Sequence, residues 1–554
     1  ADLTVGTGAV MCCTFGDATD IAWQRHHNLP LIEAIGRDGR MTAAAAPFDG
    51  LTTDEARQAL TAALDERGLL LARQPTTQTV RVHERCDTPV EYITSRQWFI
   101  RILDQRAAFL AAGQRIAWHP AHMGARYAQW VENLSWDWCI SRQRAFGVPF
   151  PLWYCEACGE IALADEDELP VDPAERSPRR PCACGSTAFL PETDVMDTWA
   201  TSSLTPQIVG RRLSDGALFK RVFPMALRPQ AHEIIRTWAF YTIVRAHYHD
   251  GALPWRNIAI SGWGLSPDGA AKLSKSRGGG PIGALAALDK YSADAVRYWA
   301  AGAGLGKDTT ISEERIANGG RWVTKLWNVA RFAERFLAGY APPIPPPADL
   351  TTADRWLLAR LGQLTTAATA SFEAYDYATA RSEVETFFWR DLADNYLEMA
   401  KQRLYAGEAG YEAARHTLYQ ALLTTIKLLA PLMPYVTEAI YRGLFAATDG
   451  AASIHRAAWP TADGRFNDDA ALAAGDTLRD IATAVRRYKS DNGLSLGAEL
   501  AALRLSGTPP ELAAALREAT ADLLSITRAR AVTFDTAPNG HGLPAGRVVV
   551  YVER

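Results

Sequence analysis

The chain has 554 residues, 48% of them hydrophobic and 22% charged, with a formal net charge of −4. That length exceeds one hydrophobic core and predicts about three or four domains, the composition excludes a disordered or fibrous chain, and the slight acidity excludes a global electrostatic footprint for nucleic acid. No apolar run reaches the roughly 18 residues needed to span a bilayer and the start lacks a charged-then-apolar signal pattern, which predicts a cytoplasmic protein with no membrane partner.

Residues 5–14, Val5-Gly-Thr-Gly-Ala-Val-Met-Cys-Cys-Thr14, read as a buried strand with no earlier strand to pair with, which predicts a chain cut within a domain. Asp17 and Asp20 suit the first turn of a following helix. Thr52 and Glu55 fit a capping box for a helix over 53–67, with Gly68 as its stop. Residues 69–72 and 79–83 then read as strands, so the first 95 residues are expected to be mixed α/β.

From about 95 to 306, strands and helices alternate, which predicts a parallel doubly wound sheet. A Cys/Pro-rich module at 150–190 interrupts it. Within it, Cys155-Glu-Ala-Cys158 and Cys182-Ala-Cys184 are separated by 23 residues, and glycine follows the second cysteine of each pair. Two such knuckles fit a zinc ribbon, whose four thiolates close a structural Zn²⁺ site and leave no open position for catalysis. Cys12, Cys13, Cys86 and Cys139 read as small buried hydrophobes with no neighbour to activate the thiol.

The segment Ser261-Gly-Trp-Gly-Leu-Ser-Pro-Asp-Gly-Ala-Ala-Lys272-Leu-Ser-Lys-Ser276 places two ammonium groups, Lys272 and Lys275, and two hydroxyls, Ser274 and Ser276, on a glycine-rich loop. Gly262, Gly264, Gly269 and the glycines at 278–280 let such a backbone close on a polyphosphate. Taken alone, the five residues from Lys272 to Ser276 favour a solvated loop, and the flanking elements shift the reading toward phosphate. The apolar run 257–260 predicts a strand leading in, and 284–299 a helix leading out.

The proline-rich stretch 342–347 reads as a stiff linker. Beyond it Val384, Phe388, Leu392 and Tyr396, and then Leu418, Leu422 and Ile426, recur every fourth residue, which predicts a helical bundle over 350–445. Arg390, Lys401 and Arg403, with Arg486, Arg487 and Lys489 further on, offer salt-sensitive phosphate contacts, although each alone reads as a solvated helix face. A helix over 468–487 and a strand over 548–552 predict a small α/β tail.

These segments together carry a resemblance. The loop from Lys272 to Ser276 resembles the signature loop of class I aminoacyl-tRNA synthetases, with Leu273 where that family most often has Met. Asn133-Leu-Ser-Trp-Asp-Trp-Cys-Ile-Ser-Arg-Gln-Arg144, Asp194-Val-Met-Asp-Thr-Trp-Ala-Thr-Ser-Ser203 and Arg228-Pro-Gln-Ala-His-Glu-Ile-Ile-Arg-Thr-Trp-Ala-Phe-Tyr241 look, in this order, like successive motifs of the valyl-tRNA synthetases, above all of their archaeal-like branch. The likeness covers almost the whole chain and weakens after about 450.

The resemblance implies a multidomain α/β plus all-α chain. Residues 1–95 would be the C-terminal part of an inserted editing domain and 96–310 an incomplete doubly wound nucleotide-binding domain, with the zinc-ribbon module at 150–190. A connecting segment at 311–349, a helical anticodon-binding domain at 350–460 and a small α/β domain at 461–554 would follow. It implies ATP-dependent activation of valine with Mg²⁺ and transfer to tRNA(Val). Lys272, Ser274, Lys275 and Ser276 would act on the phosphates, with Gly262 and Gly264 at ATP. Asp197, Trp199, His232, Glu233 and Trp238 would form the amino-acid pocket, Glu233 standing where Asp is commoner. Asp20 would serve the hydrolytic editing of mischarged threonine, which a hydrophobic valine pocket rejects only about 10²-fold, a worked figure for this enzyme class. The family's His-x-Gly-His element is missing, and His119-Pro-Ala-His122 lies where the family has an ordinary segment. The chain is therefore expected to lack an N-terminal part and to need a separate N-terminal polypeptide. Two rival readings are a non-catalytic tRNA-binding or assembly fragment and an isoleucine-tRNA ligase. Against the latter, the sequence from His232 to Trp238 departs from the Asp-Gln-x-Arg-Gly-Trp type usual there.

Overall fold

The computed structural model describes residues 7, 11–13, 16, 18–77, 79–83, 86–267, 269, 272, 283–343, 346–407, 409–534 and 542–553. They form two compact units, 1–105 with 134–201, and 106–133 with 202–554. Among the described residues no helix is long and apolar enough to cross a membrane.

The first unit opens with helix Ala18–His27, which has Asp20 in its first turn, followed by helix Thr53–Glu66. The second is started by the expected reciprocal box: the Glu55 N–H donates to Thr52 Oγ1 at 3.3 Å and the Thr52 N–H to Glu55 Oε2 at 2.8 Å. Gly68 stops it at φ +65°. Residues 5–10 and 14, in the expected first strand, and Asp17 lie outside the described residues, Thr7 excepted. The strand expected at 69–72 is not formed, and Leu71 is fully exposed. At 79–83 a single bridge, Val82 to Pro89, replaces a ladder. Apolar β-formers alone do not make a strand; a partner edge is needed to take their backbone groups.

The cysteine expectation is also corrected. Cys13 and Cys86 are exposed, Cys12 and Cys139 half-buried. Hydrogen bonds from Thr88 hold the Cys86 thiol below its ordinary value, and His83 Nδ1 lies 3.2 Å from its sulfur. The rest of the unit is built of short antiparallel ladders. Phe99–Ile100 pairs with Trp138–Cys139, Val195–Met196 lies between Ser141–Arg142 and Val148–Pro149, and Leu152–Cys155 lies between Ile161–Leu163 and Phe189–Pro191.

In the second unit three strands, β1 (Ala117–His119), β2 (Met225–Ala231) and β3 (Trp255–Ser261), form a parallel sheet in the order β2-β3-β1. Ile258 and Ile260 of β3 are fully buried, as are Phe109, Phe240 and Val244 on the accompanying helices. This is the parallel α/β arrangement that the alternating pattern predicts. Two short strands, β4 (Gly264–Leu265) and β5 (Thr309–Thr310), pair in parallel just beyond. The helix expected over 284–299 is divided into Ala284–Tyr291 and Ala293–Ala300. Ser292 sits between them at φ +78° and its hydroxyl accepts the Ala295 N–H, so a serine side chain competes with the helical ladder and restarts it.

The stretch 350–445 is helical, and the bundle extends beyond it on both sides, taking in one long helix from the expected connecting segment and one from the expected tail. The bundle contains α1 (Glu313–Leu337), α2 (Thr352–Glu373), α3 (Leu397–Ala406), α4 (Tyr411–Leu429) and α5 (Asp469–Asp491), with α6 (Thr520–Thr527) from the tail. Every residue of both four-residue ladders is buried, each apolar side chain contributing on the order of 1.5–3 kcal/mol. Where α5 crosses α2, Gly475 meets Trp356 so closely that a Cβ would lie 2.0 Å from the indole. The tail sheet runs Val532–Phe534, Ala502–Ser506, Val548–Glu553, Leu543–Ala545.

Two of the six expected phosphate contacts are not on a helix surface at all. Arg403 is buried, donating to Asp354 at 2.9 and 3.0 Å and to Asp522 at 3.1 Å. Lys489 is buried with its ammonium donating to the carbonyls of Leu496, Ala498 and Thr527. Arg390 chelates Asp391, Lys401 pairs with Glu398 and Arg486 donates to Asn395, while Arg487 stays largely exposed. Position along a helix does not reveal a cation's partner when that partner comes from another element.

Candidate functional site

The three parallel strands of the second unit end on one edge of their sheet, and the chemistry-bearing residues follow those ends, as is general for open α/β sheets. Just beyond β2 come His232 and Glu233, and just beyond β3 come Gly262 and Trp263. His119 closes β1, its Nε2 3.2 Å from Asn257 Oδ1 and its ring on Tyr375, so it is used structurally.

His232 is buried and stacks on Trp263 with 4.6 Å between ring centroids. Arg126 Nη1 lies 3.2 Å from His232 Nδ1. A guanidinium only donates, so Nδ1 accepts, and the proton of the neutral ring is on Nε2, which faces Asp308 Oδ1 at 3.4 Å. The same carboxylate oxygen accepts the Trp263 N–H at 2.7 Å. That backbone donor first, and His232 second, hold the Asp308 carboxyl below its usual range. Lys272 forms an ion pair with Glu233 and lies 5.1 Å from the centre of the Trp263 ring. The structure thus brings together His232, Glu233 and Lys272 with Trp263 of the same loop segment, and adds Arg126 and Asp308, which the motifs do not reveal. Asp308 lies 45 residues beyond Trp263 and has no local pattern to mark it.

Ser274, Lys275 and Ser276, expected to act on phosphate, lie outside the described residues. Gly262 has a role within the fold: a Cβ there would stand 2.1 Å from the Lys307 carbonyl oxygen, and one on Gly264 would stand 3.0 Å from Ile311. Gly262→Ala is therefore expected to push 307–308 away, lengthen the Asp308 bond to Trp263 and destabilise the chain by about 1–3 kcal/mol. Urea unfolding followed by far-ultraviolet circular dichroism checks this.

Trp238 lies in a π-helical turn, Ile235–Ala239, that leads into helix Phe240–Asp250. Such turns are frequent at functional sites because the extra residue re-aims side chains. The Trp238 indole N–H donates to Ser202 O at 3.0 Å, and the Arg228 guanidinium stacks 3.2 Å from its ring centre. Burial holds Arg228 well below the usual arginine value, to about 10.

Asp197 and Trp199 belong to the first unit. Asp197 is buried and fully engaged: Oδ2 accepts Arg142 Nη2 at 3.0 Å and Trp138 Nε1 at 3.5 Å, and Oδ1 accepts the Trp199 N–H at 3.2 Å. It fixes the start of the helix that carries Trp199. Asp20 is half-buried in the first helix.

The four paired cysteines of the first unit converge. Their sulfurs all lie within 4.8 Å of one another, Cys155 to Cys184 at 3.7 Å and Cys158 to Cys182 at 3.5 Å. A tetrahedral zinc with bonds of about 2.3 Å has ligand sulfurs about 3.8 Å apart, so the set fits that ion. Each knuckle closes through a glycine at positive φ, Gly159 at +74° and Gly185 at +85°. The backbone N–H groups of Cys158 and Ala157 aim at the Cys155 sulfur and hold that thiol down to about 6.

The family model for tRNA synthetases class I (I, L, M and V) matches residues 19–312, over half of the chain. The chain belongs to the class I tRNA synthetase family. A second model, the anticodon-binding domain of tRNA ligase, matches residues 354–504, the bundle and the first strand of the tail. Similar relatives of this synthetase chain include the valine–tRNA ligase of Methanopyrus kandleri, 42% identical over 96% of this chain and 58% of that protein. The valine–tRNA ligase of Methanosarcina mazei is 40% identical over 97% of this chain and 60% of its own, and that of Anaplasma marginale 43% over 89% and 60%. The chain spans about three fifths of the length of these relatives.

Proposed function

We propose that this chain serves valine–tRNA ligase activity: activation of valine by Mg·ATP to valyl-adenylate, then transfer to the terminal ribose of tRNA(Val). The observation that carries this reading is the 40–43% identity to valine–tRNA ligases across 89–97% of the chain. The edge of the parallel sheet supports it, because Lys272, Trp263 and His232 cluster there around Asp308. Lys272 and Lys275, with Ser274 and Ser276, bind the phosphates and offset negative charge as pyrophosphate leaves; Gly262 and Gly264 set the backbone under ATP. Asp197, Trp199, His232, Glu233 and Trp238 shape the amino-acid pocket, in which Asp197 positions Trp199 rather than touching substrate. Residues 1–95 form the end of an editing domain in which Asp20 holds the ammonium of mischarged threonine. The bundle takes the anticodon, and Cys155, Cys158, Cys182 and Cys184 hold a structural Zn²⁺ that locks their two knuckles.

Valine-dependent ATP–pyrophosphate exchange, measured with and without a supplied N-terminal segment, is the test. Exchange supported by valine and not by isoleucine establishes the reading; exchange that prefers isoleucine, or no exchange under either condition, rejects it. Within an active preparation Lys275→Ala is expected to slow adenylate formation about 10²-fold and leave the valine Kd nearly unchanged, since a charge placed for the leaving pyrophosphate acts in the transition state. An equal loss in both would remove that role.

A further inference from the structure

Arg228 lies midway along β2 and is buried. Its guanidinium carbon stands 3.2 Å from the centre of the Trp238 ring and 4.9 Å from that of Trp255. No carboxylate balances it among the described residues: Nε and Nη2 have no hydrogen-bond partner, and Nη1 reaches only Thr205 Oγ1, at 3.5 Å. Burial, unopposed by any carboxylate, is what holds the guanidinium down to about 10. A desolvated cation with unmet donors weakens a fold, and an apolar side chain of similar length would cost less. The indole faces recover part of that cost, since they attract a cation most strongly where water is excluded. Stability therefore does not account for an arginine at this position, whereas the shape of the stack does. Trp238 is held by three contacts: its indole N–H donates to Ser202 O at 3.0 Å, its carbonyl accepts the Thr242 hydroxyl at 2.6 Å, and Arg228 covers one face of the ring. Nothing fits between a guanidinium and a ring 3.2 Å apart, yet Trp238 is only half-buried, so its open surface lies away from Arg228.

We propose that Arg228 is a positioning residue for selection of the amino acid: its flat guanidinium fixes the plane of Trp238 from behind and so sets the width of the pocket that admits valine and turns away isoleucine. A pocket rejects a side chain one methylene larger only as far as its walls resist displacement, and one methylene in a hydrophobic site is worth on the order of 10–200-fold, a worked range for this enzyme class. Arginine suits that task because its planar group lies flat on an indole, which a lysine ammonium on a flexible stem does not do. The proposal rests on the valine-ligase reading above, in which Trp238 walls the pocket, and adds the residue that keeps this wall in place.

The test is calorimetric binding of valine and of isoleucine, beside pyrophosphate exchange with each, for wild type, Arg228→Met and Arg228→Lys in the preparation that supports exchange. In Arg228→Met the ratio of the isoleucine Kd to the valine Kd is expected to fall about tenfold, through tighter isoleucine binding, while the valine Kd and the saturated valine exchange rate stay within about threefold of wild type. Methionine removes the two unpartnered donors, so far-ultraviolet circular dichroism is expected to show the fold retained. Arg228→Lys keeps the charge without the flat group, and its ratio is expected to fall as far. A wild-type ratio in Arg228→Met would show that the wall stands without Arg228, and the ligase reading would be untouched. A wild-type ratio in Arg228→Lys would show that charge, not the flat stack, holds the ring, and the proposal would fail. Equal losses of affinity for both amino acids would leave Arg228 a support of the fold and nothing more. If wild type binds neither amino acid, the valine-ligase reading itself falls and this proposal with it.

Discussion

Arg403→Met is expected to destabilise the second unit by about 3–5 kcal/mol, because it leaves buried carboxylates without their cation. Asp354 is fully buried, and besides the two Arg403 bonds it accepts the Tyr396 hydroxyl at 2.6 Å and the Thr351 N–H and hydroxyl at 2.9 Å each. Methionine fills the guanidinium stem but returns neither charge nor hydrogen-bond donors to those buried oxygens. One guanidinium serves two carboxylates, so the pair Asp354 and Asp522 carries one buried negative charge in excess. Burial, opposed by Arg403, raises the Asp522 carboxyl from 3.8 to about 6. A carboxyl whose folded pKa lies above its unfolded one takes up protons on folding, so its contribution to stability is largest below about 4 and declines as pH rises to about 6. Asp522→Asn removes the excess charge and is expected to cost under about 1 kcal/mol at neutral pH while flattening that pH dependence. Urea unfolding followed by circular dichroism between pH 4 and 8 separates the outcomes. A loss in Arg403→Met no larger than in Asp522→Asn would mean that the guanidinium is replaceable by packing alone.

This network shows where the sequence stops being legible. The four-residue ladders name the buried face of the bundle correctly, since Val384, Phe388, Leu418 and Leu422 repeat in register with the helix and need only apolarity. The capping box at Thr52 and the glycines after each cysteine pair are equally readable, because cap and knuckle are local geometry. Arg403 reads as a surface cation by the same logic and is not one. Its partners come from helices 49 residues before it and 119 residues after it, and nothing near it marks them. The same holds at the sheet edge. His232, Glu233 and Lys272 stand in motifs, whereas Arg126 and Asp308 reach the His232 ring across 106 and 76 residues. Motifs name the groups that a family keeps in sequence, and the residues that set their protonation and orientation come from the topology. The strand failures at 69–72 and 79–83 have the converse cause, because β-propensity is present there and a pairing edge is not.

Removal of the proposed zinc, or of one of its four candidate ligands, is expected to have the largest effect of all. The sheet of Ile161–Leu163, Leu152–Cys155 and Phe189–Pro191 is three short strands, and among its residues only Leu152, Trp153 and Cys155 are buried. So small a core does not offset the entropy of ordering two knuckles, and structural zinc in comparable modules contributes on the order of 10 kcal/mol. The CxC pair does not prevent tetrahedral closure: Cys182 faces Cys158 and Cys184 faces Cys155, so each short edge joins the two knuckles rather than neighbours in one. The chain as purified is expected to hold one equivalent of zinc, and cobalt substitution is expected to give the thiolate charge-transfer absorption of a four-sulfur site. Cys184→Ser is expected to release the metal and open 150–190 to protease, while the bundle, which has its own apolar core, stays folded by far-ultraviolet circular dichroism. The mass of the first proteolytic fragment decides between this and its opposite. Cleavage that begins in the bundle, or a wild-type chain that binds no zinc and still protects 150–190, would show that the four thiols close the module without a metal.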